Sequence, residues 1–401
     1  MKTYKVAVVG GGFSGLVSAI VLTERFGGES VAVIERNDRI GKKILATGNG
    51  RGNITNLEIS ADNYHSVAGC NVKNAIEKYG NKSIIEFFYK LGVPVTTDGN
   101  RVYPAGLQAS SLLDAMRDKL DYLSAGIFTG AECREIKPDG GAYVLRTEGF
   151  DCRAEKVIFA AGGKAGKQYG TDGSAFRLLE KLGVKITDLY PAIVQLKTET
   201  EKIRGLKGLK EKALVSAYDG DKFLKSFYGD VLFTDYGVSG NAAFYLSSYL
   251  VGASSPSIEI SFTEKSREDL ADFLVDKVKN LPYVTLDNLL NGVTNKQIGK
   301  AIVKASGAKD TSVNSLKKIA ATAKKFSLKV TGTLGFDYAQ VTRGGVPLAF
   351  ADENFELKNH RGLFVVGEAL DVDGDCGGYN LQWAYSSAMI ATDKIIADEN
   401  R

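Results

Sequence analysis

The chain has 401 residues, of which 44% are hydrophobic and 24% charged, and its 51 basic and 47 acidic side chains give a net charge of +4. This length predicts two or three domains, and so small a net charge does not by itself imply a nucleic-acid partner. No apolar run approaches the ~18 residues of a membrane helix. The first predicted strand begins close to Met1, without room for a signal peptide. We therefore expect a cytoplasmic protein with no membrane partner.

The strongest pattern lies at the N-terminus. A predicted apolar strand runs into Gly10-x-Gly12-x-x-Gly15, a predicted helix follows directly, and a second strand ends on Glu35. In this pattern Gly10 permits a tight turn, Gly12 lets the backbone approach a pyrophosphate, and Gly15 lets helix and strand pack closely. The helix N-terminus attracts phosphates, and Glu35 can accept hydrogen bonds from the hydroxyls of an adenosine ribose. The pattern predicts dinucleotide binding; the alternative is a glycine-rich turn with a solvated glutamate.

A long polar loop follows Glu35. Residues 36–56 are rich in glycine and asparagine and show no apolar period, so they do not form a core element. Long loops in compact domains are usually functional, and this one comes directly after the predicted ribose-binding acid. We expect it to contact the cofactor; the alternative is a surface loop without a ligand.

The rest of the first half alternates helices and strands. In chain order, the predicted elements of residues 1–190 are a strand (5–9), a helix (14–26), a strand (31–35), helices around 71–91 and 108–124, an antiparallel meander (127–136, 143–148 and 150–154), a buried strand (157–161) and a helix (171–182). The buried strand ends in Gly162-Gly163, which lets a backbone come near a ligand.

The pattern changes beyond residue 190. Short β-rich segments (192–198, 212–218, 223–228 and 257–262) predict a small antiparallel sheet or barrel, and residues 264–328 are predicted to be helical and rich in lysine. Lysines at helical spacing usually mark a solvated face, and aromatic residues that could stack on RNA bases are nearly absent among them. From Gly362 a buried strand (363–366) returns, followed by a glycine-rich segment that opens a last helix.

Several motifs along the chain carry a resemblance to a known family. They are the N-terminal fingerprint, the loop at 41–51, Arg101-Val102-Tyr103-Pro104, Ala160-Ala161-Gly162-Gly163, and the segments 232–240, 341–346 and 362–382. Together they resemble the BaiN-like (YhiN-type) family of FAD-dependent oxidoreductases, which includes aminoacetone oxidases. One position departs from the family pattern: the loop usually reads Gly-Arg-Cys-Asn, whereas Gly52 stands here in place of the cysteine.

The resemblance implies an α/β fold: a Rossmann-like FAD-binding domain of the glutathione-reductase type, made of residues 1–190 and 337–401. A β-barrel-like and helical unit (191–336) is inserted into it and is expected to shape the substrate pocket. FAD is expected to bind non-covalently, because no His or Cys lies in an attachment context. The candidate cofactor-binding residues are Gly10, Gly12, Phe13, Ser14, Gly15, Glu35, Arg36, Lys42, Lys43, Thr47, Gly48, Asn49, Arg51, Asn53, Cys133, Ala161, Gly162, Gly163, Gly367, Glu368, Asp371, Gly378, Tyr379, Asn380 and Leu381.

Two features of the C-terminal segment are expected to meet the flavin. Glu368 or Asp371 would accept hydrogen bonds from ribityl hydroxyls. The N–H groups at the start of the last helix, after Gly378, would face the N1–C2=O edge of the flavin, where negative charge collects on reduction. The alternative is a helix cap whose glycines serve only the turn.

Cysteines and histidines exclude several other chemistries. The four cysteines are far apart, with no Cys-x-x-Cys, so we expect reduced thiols and exclude a disulfide-using reductase. With only His65 and His360, both in polar segments, a zinc site or a Ser-His-Asp triad is disfavoured. We expect no metal, and both histidines at the surface.

The predicted function is FAD-dependent hydride transfer between a small organic substrate and flavin N5. That substrate is an amine such as aminoacetone, or an enone or steroid-like compound. The alternative is a flavoprotein that acts on or binds RNA, which the missing loop cysteine and the small net charge disfavour. NAD(P)H remains open as an electron donor, although no second dinucleotide fingerprint is present, and so does oxygen as an acceptor. No residue is identifiable as a catalytic acid or base, and the oligomeric state is not predicted.

Overall fold

A computed structural model describes residues 1–400, and the chain divides into two compact units. The first unit comprises Met1–Pro191 and the C-terminal residues from Gln340 onward, and the second comprises Ala192–Ala339. The predicted roles of these segments in cofactor and substrate binding, with boundaries at 190/191 and 336/337, stay a prediction.

A mixed sheet forms the centre of the first unit. Its strands lie in the spatial order Gly126–Phe128, Val31–Ile34, Lys2–Val9, Asp151–Phe159, Ala142–Thr147 and Cys133–Asp139, and Leu363–Val365 also pairs with Asp151–Phe159. The first four strands and Leu363–Val365 are parallel, and the last two form an antiparallel hairpin. This is the predicted Rossmann-type α/β arrangement.

The apolar strands of this sheet are buried on both faces, as parallel strands require. All four residues of Val31–Ile34 are buried, as are Val6, Ala7, Val8 and Val9 in the first strand. The helix Phe13–Phe26 packs against the C-terminal helix, Tyr379–Glu399. Most residues of Phe13–Phe26 are buried, so the start of this helix is held firmly at the end of the first strand.

The structure corrects three of the predicted strands. Residues 127–136 are not one strand: Gly126–Phe128 joins the parallel sheet, and Cys133–Asp139 begins the hairpin. The segments 150–154 and 157–161 are instead one continuous strand, Asp151–Phe159. Its first half pairs with the hairpin and its second half with Leu363–Val365, a change of partner that a single-strand pattern does not reveal.

The predicted helix at 171–182 is also shorter than expected. Only Phe176–Glu180 is α-helical. The preceding residues form a turn in which Asp172 accepts hydrogen bonds from the backbone and hydroxyl of Ser174, and Gly170 and Gly173 have positive φ angles. The polar residues interpreted as a helix start therefore build a loop.

Smaller elements complete the first unit. They are a three-stranded sheet (Thr55–Asn56, Arg101–Pro104 and Val95–Asp98), a two-stranded ladder (Tyr64–His65 with Asp373–Gly374), and the helices Lys73–Lys78, Asn81–Lys90 and Ala109–Tyr122. The small ladder and the three-stranded sheet both lie at the start of the C-terminal helix.

The second unit contains a closed antiparallel barrel. Its strands, in order around the barrel, are Leu196–Thr198, Gly237–Ser239, Lys222–Phe233, Lys210–Asp219, Pro256–Ser261 and Phe326–Thr333. The helices of this unit are Asn241–Tyr249, Arg267–Asn280, Lys296–Ser306 and Val313–Lys324. Inward-facing strand residues such as Val215, Phe233 and Ile260 share one apolar core with helix residues such as Ile302 and Ile319.

Candidate cofactor site

The glycine-rich turn has the geometry that its sequence predicts. A Cβ atom at Gly10, where φ is +108°, would lie 2.4 Å from the carbonyl oxygen of Ala160. A Cβ atom at Gly15 would lie 2.0 Å from the carbonyl oxygen of Gly10. A Cβ atom at Gly12, the residue that caps the helix, would meet no described atom of the protein within 4 Å. Two glycines are thus required by packing, and the third leaves open space at a helix N-terminus.

Glu35 is tied to this turn. Its carboxylate is 8% exposed and accepts a hydrogen bond from the Gly11 N–H at 2.8 Å. The other carboxylate oxygen accepts from the backbone and side chain of Asn37, both at 2.7 Å. These bonds fix the orientation of the acid, while the oxygen bonded to Gly11 retains a lone pair that a ribose hydroxyl could use.

The C-terminal strand brings a second glycine against the turn. A Cβ atom at Gly367 would lie 2.6 Å from the Ser14 hydroxyl, which belongs to the first turn of the N-terminal helix. The next residue, Glu368, pairs with Lys43 at 2.7 Å and accepts from the Thr342 N–H at 3.0 Å. The structure therefore places these predicted site residues together although they are hundreds of positions apart.

Gly163 belongs to the same group. A Cβ atom there would lie 2.5 Å from the Thr342 hydroxyl oxygen and 2.8 Å from a carboxylate oxygen of Glu368. The Thr342 hydroxyl accepts from the N–H groups of Lys164 and Ala165 at 2.7 and 2.8 Å. Ala161 adjoins the turn as well, because its Cα would be 2.9 Å from a Cβ at Gly10.

The start of the C-terminal helix meets the polar loop. A Cβ atom at Gly378 would lie 2.5 Å from the backbone of Thr55 and 2.9 Å from the Asn53 side chain. Asn56 donates to the Gly377 carbonyl at 3.1 Å, and the Thr55 hydroxyl donates to Gln382 at 2.6 Å. The first-turn N–H groups of this helix, at Tyr379, Asn380 and Leu381, have no intrahelical acceptor and emerge beside the loop.

The loop itself has an unusual backbone. Gly48, Asn49, Gly50 and Gly52 all have positive φ angles, so a short left-handed stretch replaces regular structure. At Gly52, where φ is +77°, a Cβ atom would lie 2.9 Å from a Leu112 methyl group and 3.0 Å from the Ala109 Cα. The glycine that stands in place of the family's cysteine is thus suited to a site where this chain leaves little room for a side chain.

Other predicted residues of this region are engaged with the protein. The Arg51 guanidinium lies 4.6 Å from the centre of the Tyr103 ring and pairs with Asp98 at 3.2 Å. The Asn53 amide donates to the carbonyls of Thr55 and Val102 at 3.0 Å each. Their contacts with a flavin stay a prediction.

Four further candidates lie apart from these contacts or bond locally. Arg36 pairs with Asp172 at 3.0 Å, and burial raises the pKa of Asp172 less than the hydrogen bonds from Arg36 and Ser174 lower it, to about 2. Lys42 pairs with Asp38, and the Thr47 hydroxyl donates to the Ile44 carbonyl. Cys133 lies on the hairpin and donates to the Glu135 carbonyl.

The side-chain contacts of Asn380 are also internal to the segment. Its amide oxygen accepts from the Gly374 N–H at 2.9 Å, and its nitrogen donates to the Gly374 carbonyl at 2.9 Å. The Tyr379 hydroxyl donates to the Glu58 carbonyl at 3.0 Å. Both side chains brace the helix start, which leaves backbone N–H groups as the predicted cofactor contacts there.

The environments of Asp371 and of the two histidines were not visible in the sequence. The Asp371 carboxylate is fully buried and accepts from the Ser66 hydroxyl and the N–H groups of Val67 and Ala68. These hydrogen bonds anchor residues 66–68, and a contact of Asp371 with a ribityl hydroxyl stays a prediction. The expectation that both histidines lie at the surface is wrong: both are half-buried. His65 Nε2 is 2.8 Å from an Asp375 carboxylate oxygen, and His360 Nε2 is 2.8 Å from the Leu182 carbonyl oxygen.

All four cysteines are free, and none has the environment of a reactive thiolate. Burial raises the pKa of Cys70 and Cys152 to about 11 and that of Cys133 to about 12. Burial also raises the pKa of Cys376, and the nearby Arg101 opposes that rise only partly. Among residues 1–400, no group of three or more His, Cys, Asp or Glu side chains could hold a metal ion. No helix in the same range is long and apolar enough to cross a bilayer.

Sequence reasoning missed several residues that hold the site together. Thr55, Gln382 and Thr342 are fully buried and bond across distant segments. Each lies in or next to a motif that carries the family resemblance, which was the only signal that could have identified them. Their roles follow from long-range contacts, and no local spacing encodes those.

The residues present fit FAD. The open space at Gly12, the buried carboxylate of Glu35 and the N–H groups of a second helix beside the polar loop are of the kinds that bind a pyrophosphate, a ribose and an electron-rich ring edge. The class defined by fold and site is a Rossmann-type FAD-binding flavoprotein.

Comparison with known proteins supports this class. Residues 4–394 match the model of the family described as HI0933-like protein Rossmann domain, and the chain belongs to that family. It is 33% identical over 399 residues to the 3-dehydro-bile acid delta(4,6)-reductase of Clostridium scindens, covering 96% of this chain and 98% of the relative. The protein is an FAD-dependent oxidoreductase.

Two further similarities are more distant. The chain is 27% identical to the ribosomal RNA dihydrouridine synthase of Haemophilus influenzae, covering 95% of this chain and 96% of that protein. The crystal structure of 3-ketosteroid-delta4-(5alpha)-dehydrogenase from Rhodococcus jostii matches with a TM-score of 0.52 and 14% identity, covering 98% of this chain and 97% of that one. At that identity the structural match concerns the fold alone.

Proposed function

We propose that this protein reduces a carbon–carbon double bond conjugated to a carbonyl group in a small steroid-like substrate. The observation that carries the proposal is the 33% identity, over nearly the whole of both chains, to a relative named as a bile-acid reductase. When bound, FAD supplies hydride transfer at its N5 atom. In this reduction the substrate gains a hydride at the carbon β to the carbonyl and a proton at the α carbon.

The site geometry suits this chemistry. The N–H groups at the start of the C-terminal helix lie beside the loop residues Asn53 and Thr55. A helix N-terminus stabilises negative charge, so these groups would favour the reduced form of the cofactor. In the absence of a reactive thiolate, the protein's part in the reaction is orientation and electrostatics.

A single-turnover experiment tests the proposal. The flavin is reduced anaerobically and mixed with a 3-keto-4-ene steroid, and the return of the oxidised flavin band at ~450 nm is followed. We expect reoxidation together with a steroid product that has gained two hydrogens. The matched saturated ketone should leave the flavin reduced; equal rates with both compounds would contradict the proposal.

In the competing amine oxidation, electrons move in the opposite direction, from the substrate to the flavin. Oxidised protein is mixed anaerobically with aminoacetone, and bleaching of the flavin band is followed. We expect no bleaching, since the flavin of the proposed reductase receives its electrons from a separate donor and not from an amine. Rapid bleaching by aminoacetone, with no turnover of the enone, would replace the proposal by amine oxidation.

We also propose NAD(P)H as the electron donor. Oxygen can accept electrons from a reduced flavin but cannot supply them for a reductase. Anaerobic addition of NADH and NADPH in separate samples should bleach the flavin with at least one of them. If neither reduces it, the physiological donor is another protein or small molecule.

RNA is the second candidate substrate, and one observation favours it. Between residues 296 and 325 the chain carries eight lysines and one acidic residue, Asp310. The lysines are Lys296, Lys300, Lys304, Lys309, Lys317, Lys318, Lys324 and Lys325. The helices Lys296–Ser306 and Val313–Lys324 hold most of them outward from the apolar core of the second unit.

A shift assay with a ribosomal RNA fragment at ~50 and ~200 mM salt tests this candidate. The variant carries Lys304→Gln, Lys317→Gln and Lys318→Gln, and its control carries three Lys→Gln changes outside this segment. RNA as substrate requires binding that the first variant weakens and the control does not, together with dihydrouridine formed by the reduced protein. Binding that disappears at the higher salt, without product, would exclude it.

A further inference from the structure

One half-buried arginine without a partner among the described residues lies next to the candidate flavin end of the site. Among the arginines of residues 1–400 that are buried or half-buried, five pair with a carboxylate within 4.0 Å: Arg36, Arg51, Arg117, Arg153 and Arg343. The sixth, Arg101, is half-buried and has neither a carboxylate within that distance nor a hydrogen-bond acceptor among the described residues. A guanidinium withdrawn from water without a partner is costly, unless a ligand supplies the acceptor.

The local sheet determines where Arg101 lies. It begins the strand Arg101–Pro104, opposite Asn56 on one side and Asp98 on the other. Asp98, the acid across the ladder, pairs with Arg51. The neighbouring carboxylate is thus engaged by another arginine, which leaves Arg101 without an ion-pair partner among the described residues.

The side chain of Arg101 reaches the segment that leads into the C-terminal helix. Its Nε atom lies 3.5 Å from the position that a Cβ atom of Gly377 would occupy. Asn56 donates to the Gly377 carbonyl, which fixes this peptide beside the guanidinium. Because Gly377 and Gly378 carry no side chains, nothing of theirs covers the space between Arg101 and the first N–H groups of the helix.

Two sources of positive potential therefore lie side by side. One is the N-terminus of a helix 21 residues long, Tyr379–Glu399, and the other is the positively charged guanidinium of Arg101. The electrostatic influence of Arg101 already extends to the adjacent Cys376, where it opposes the rise that burial causes in the pKa of the thiol. A ligand group with negative charge would be stabilised at this place.

We propose that Arg101 is a positioning residue that holds the N1–C2=O edge of the flavin and stabilises the negative charge that this edge gains on reduction. The proposal rests on the FAD assignment and on the expected position of the flavin at the C-terminal helix. It does not depend on which substrate is reduced. Arg101 would thereby raise the flavin's affinity for electrons without taking part in proton or hydride transfer.

Redox titration without substrate tests the role directly. Variants Arg101→Met and Arg101→Lys are compared with Arg153→Met, a control that removes a half-buried but paired guanidinium from the distant part of the sheet. We expect Arg101→Met to favour oxidised FAD at least tenfold more than the parent protein, a drop of about 30 mV in the midpoint potential of this two-electron couple. Arg101→Lys should retain most of the parent potential, and Arg153→Met all of it.

Sulfite provides a second readout, because its addition to oxidised flavin also places negative charge at the N1–C2=O edge. The sulfite affinity should fall at least tenfold in Arg101→Met and recover in Arg101→Lys. Bound FAD with unchanged potential and unchanged sulfite affinity in Arg101→Met would overturn the proposal. Loss of FAD from both Arg101→Met and Arg101→Lys, with folding intact, would also overturn it. Arg101 would then be needed to bind the oxidised cofactor as much as the reduced one. Failure of the enone assay alone leaves these readouts unaffected and would count only against the proposed substrate.

Discussion

The two ends of the candidate cofactor site are built in different ways. At the nucleotide end, the turn of Gly10, Gly12 and Gly15 is one short stretch of chain, and Glu35 bonds directly to it. At the other end, where we expect the flavin, loop residues near Thr55, the strand at Arg101 and the helix start at Gly378 come from three distant segments. The first end depends on backbone space and the second on long-range polar contacts. Mutations at the two ends should therefore have different effects on stability and on cofactor binding.

The largest effect is expected inside the glycine turn, at Gly15. A side chain there would overlap the carbonyl oxygen of Gly10, and neither backbone can move without disturbing the sheet. We expect Gly15→Val to lower the free energy of unfolding by at least about 3 kcal/mol, measured by urea denaturation. A folded Gly15→Val protein that keeps its flavin would contradict the packing argument.

Gly12→Val is the matched change in the same turn. Its Cβ atom would meet no described protein atom within 4 Å, so the free energy of unfolding without cofactor should change by no more than about 0.5 kcal/mol. The side chain would instead occupy the space of the pyrophosphate. We expect FAD binding to weaken at least 100-fold, or about 2.7 kcal/mol, by titration of the apoprotein. Full flavin occupancy in this variant would invalidate the fingerprint interpretation.

At the expected flavin end, single substitutions should lower the free energy of unfolding by smaller amounts, and their effects should be coupled. Thr55 and Gln382 are fully buried and share a hydrogen bond of 2.6 Å, so Thr55→Val leaves the Gln382 acceptor unpaired at a cost of about 1–3 kcal/mol. In a double-mutant cycle with Gln382→Met, we expect a coupling energy above about 0.5 kcal/mol. Thr322→Val, on the outer helix Val313–Lys324, is the control and should have little effect. Additive effects of the two changes would show that the contact does not stabilise this end.

The smallest effect is expected at Cys376, the cysteine next to the flavin end. Burial raises the pKa of its thiol. The thiolate fraction is therefore small at neutral pH and increases only in alkaline solution. Cys376→Ser should keep most of the flavin reduction rate, and alkylation of Cys376 by iodoacetamide should accelerate as the pH rises above the ordinary thiol pKa of about 8.5. A loss of two orders of magnitude in rate, with FAD still bound, would make Cys376 catalytic.

Elements with a local signal were predictable. The first two strands, the glycine turn, the following helix and Glu35 lie where the sequence placed them, because each depends on residue spacing within a few turns of chain. The β-rich and helical character of the inserted segment was also visible, since alternation and helical spacing are local patterns.

Predictions that depended on partners were less successful. The strand Asp151–Phe159 was split in two because its change of partner, from the hairpin to Leu363–Val365, leaves no mark in its own residues. The hydrogen bonds from residues 66–68 to the Asp371 carboxylate were not predicted, and its contact with the ribityl chain stays a prediction. A carboxylate beside a glycine-rich segment has the same local sequence in either role.

The sequence by itself determined the family, the cofactor class and the nucleotide end of the site, because a glycine turn and its acid are encoded in neighbouring residues. Only the tertiary structure decided the flavin end. Thr55 and Gln382 are 327 positions apart, and Arg101 is distinguished by having no partner within residues 1–400, which no spacing can express. The physical reason is that burial and pairing are properties of the folded chain, whereas backbone conformation at a glycine is largely a property of the residue itself.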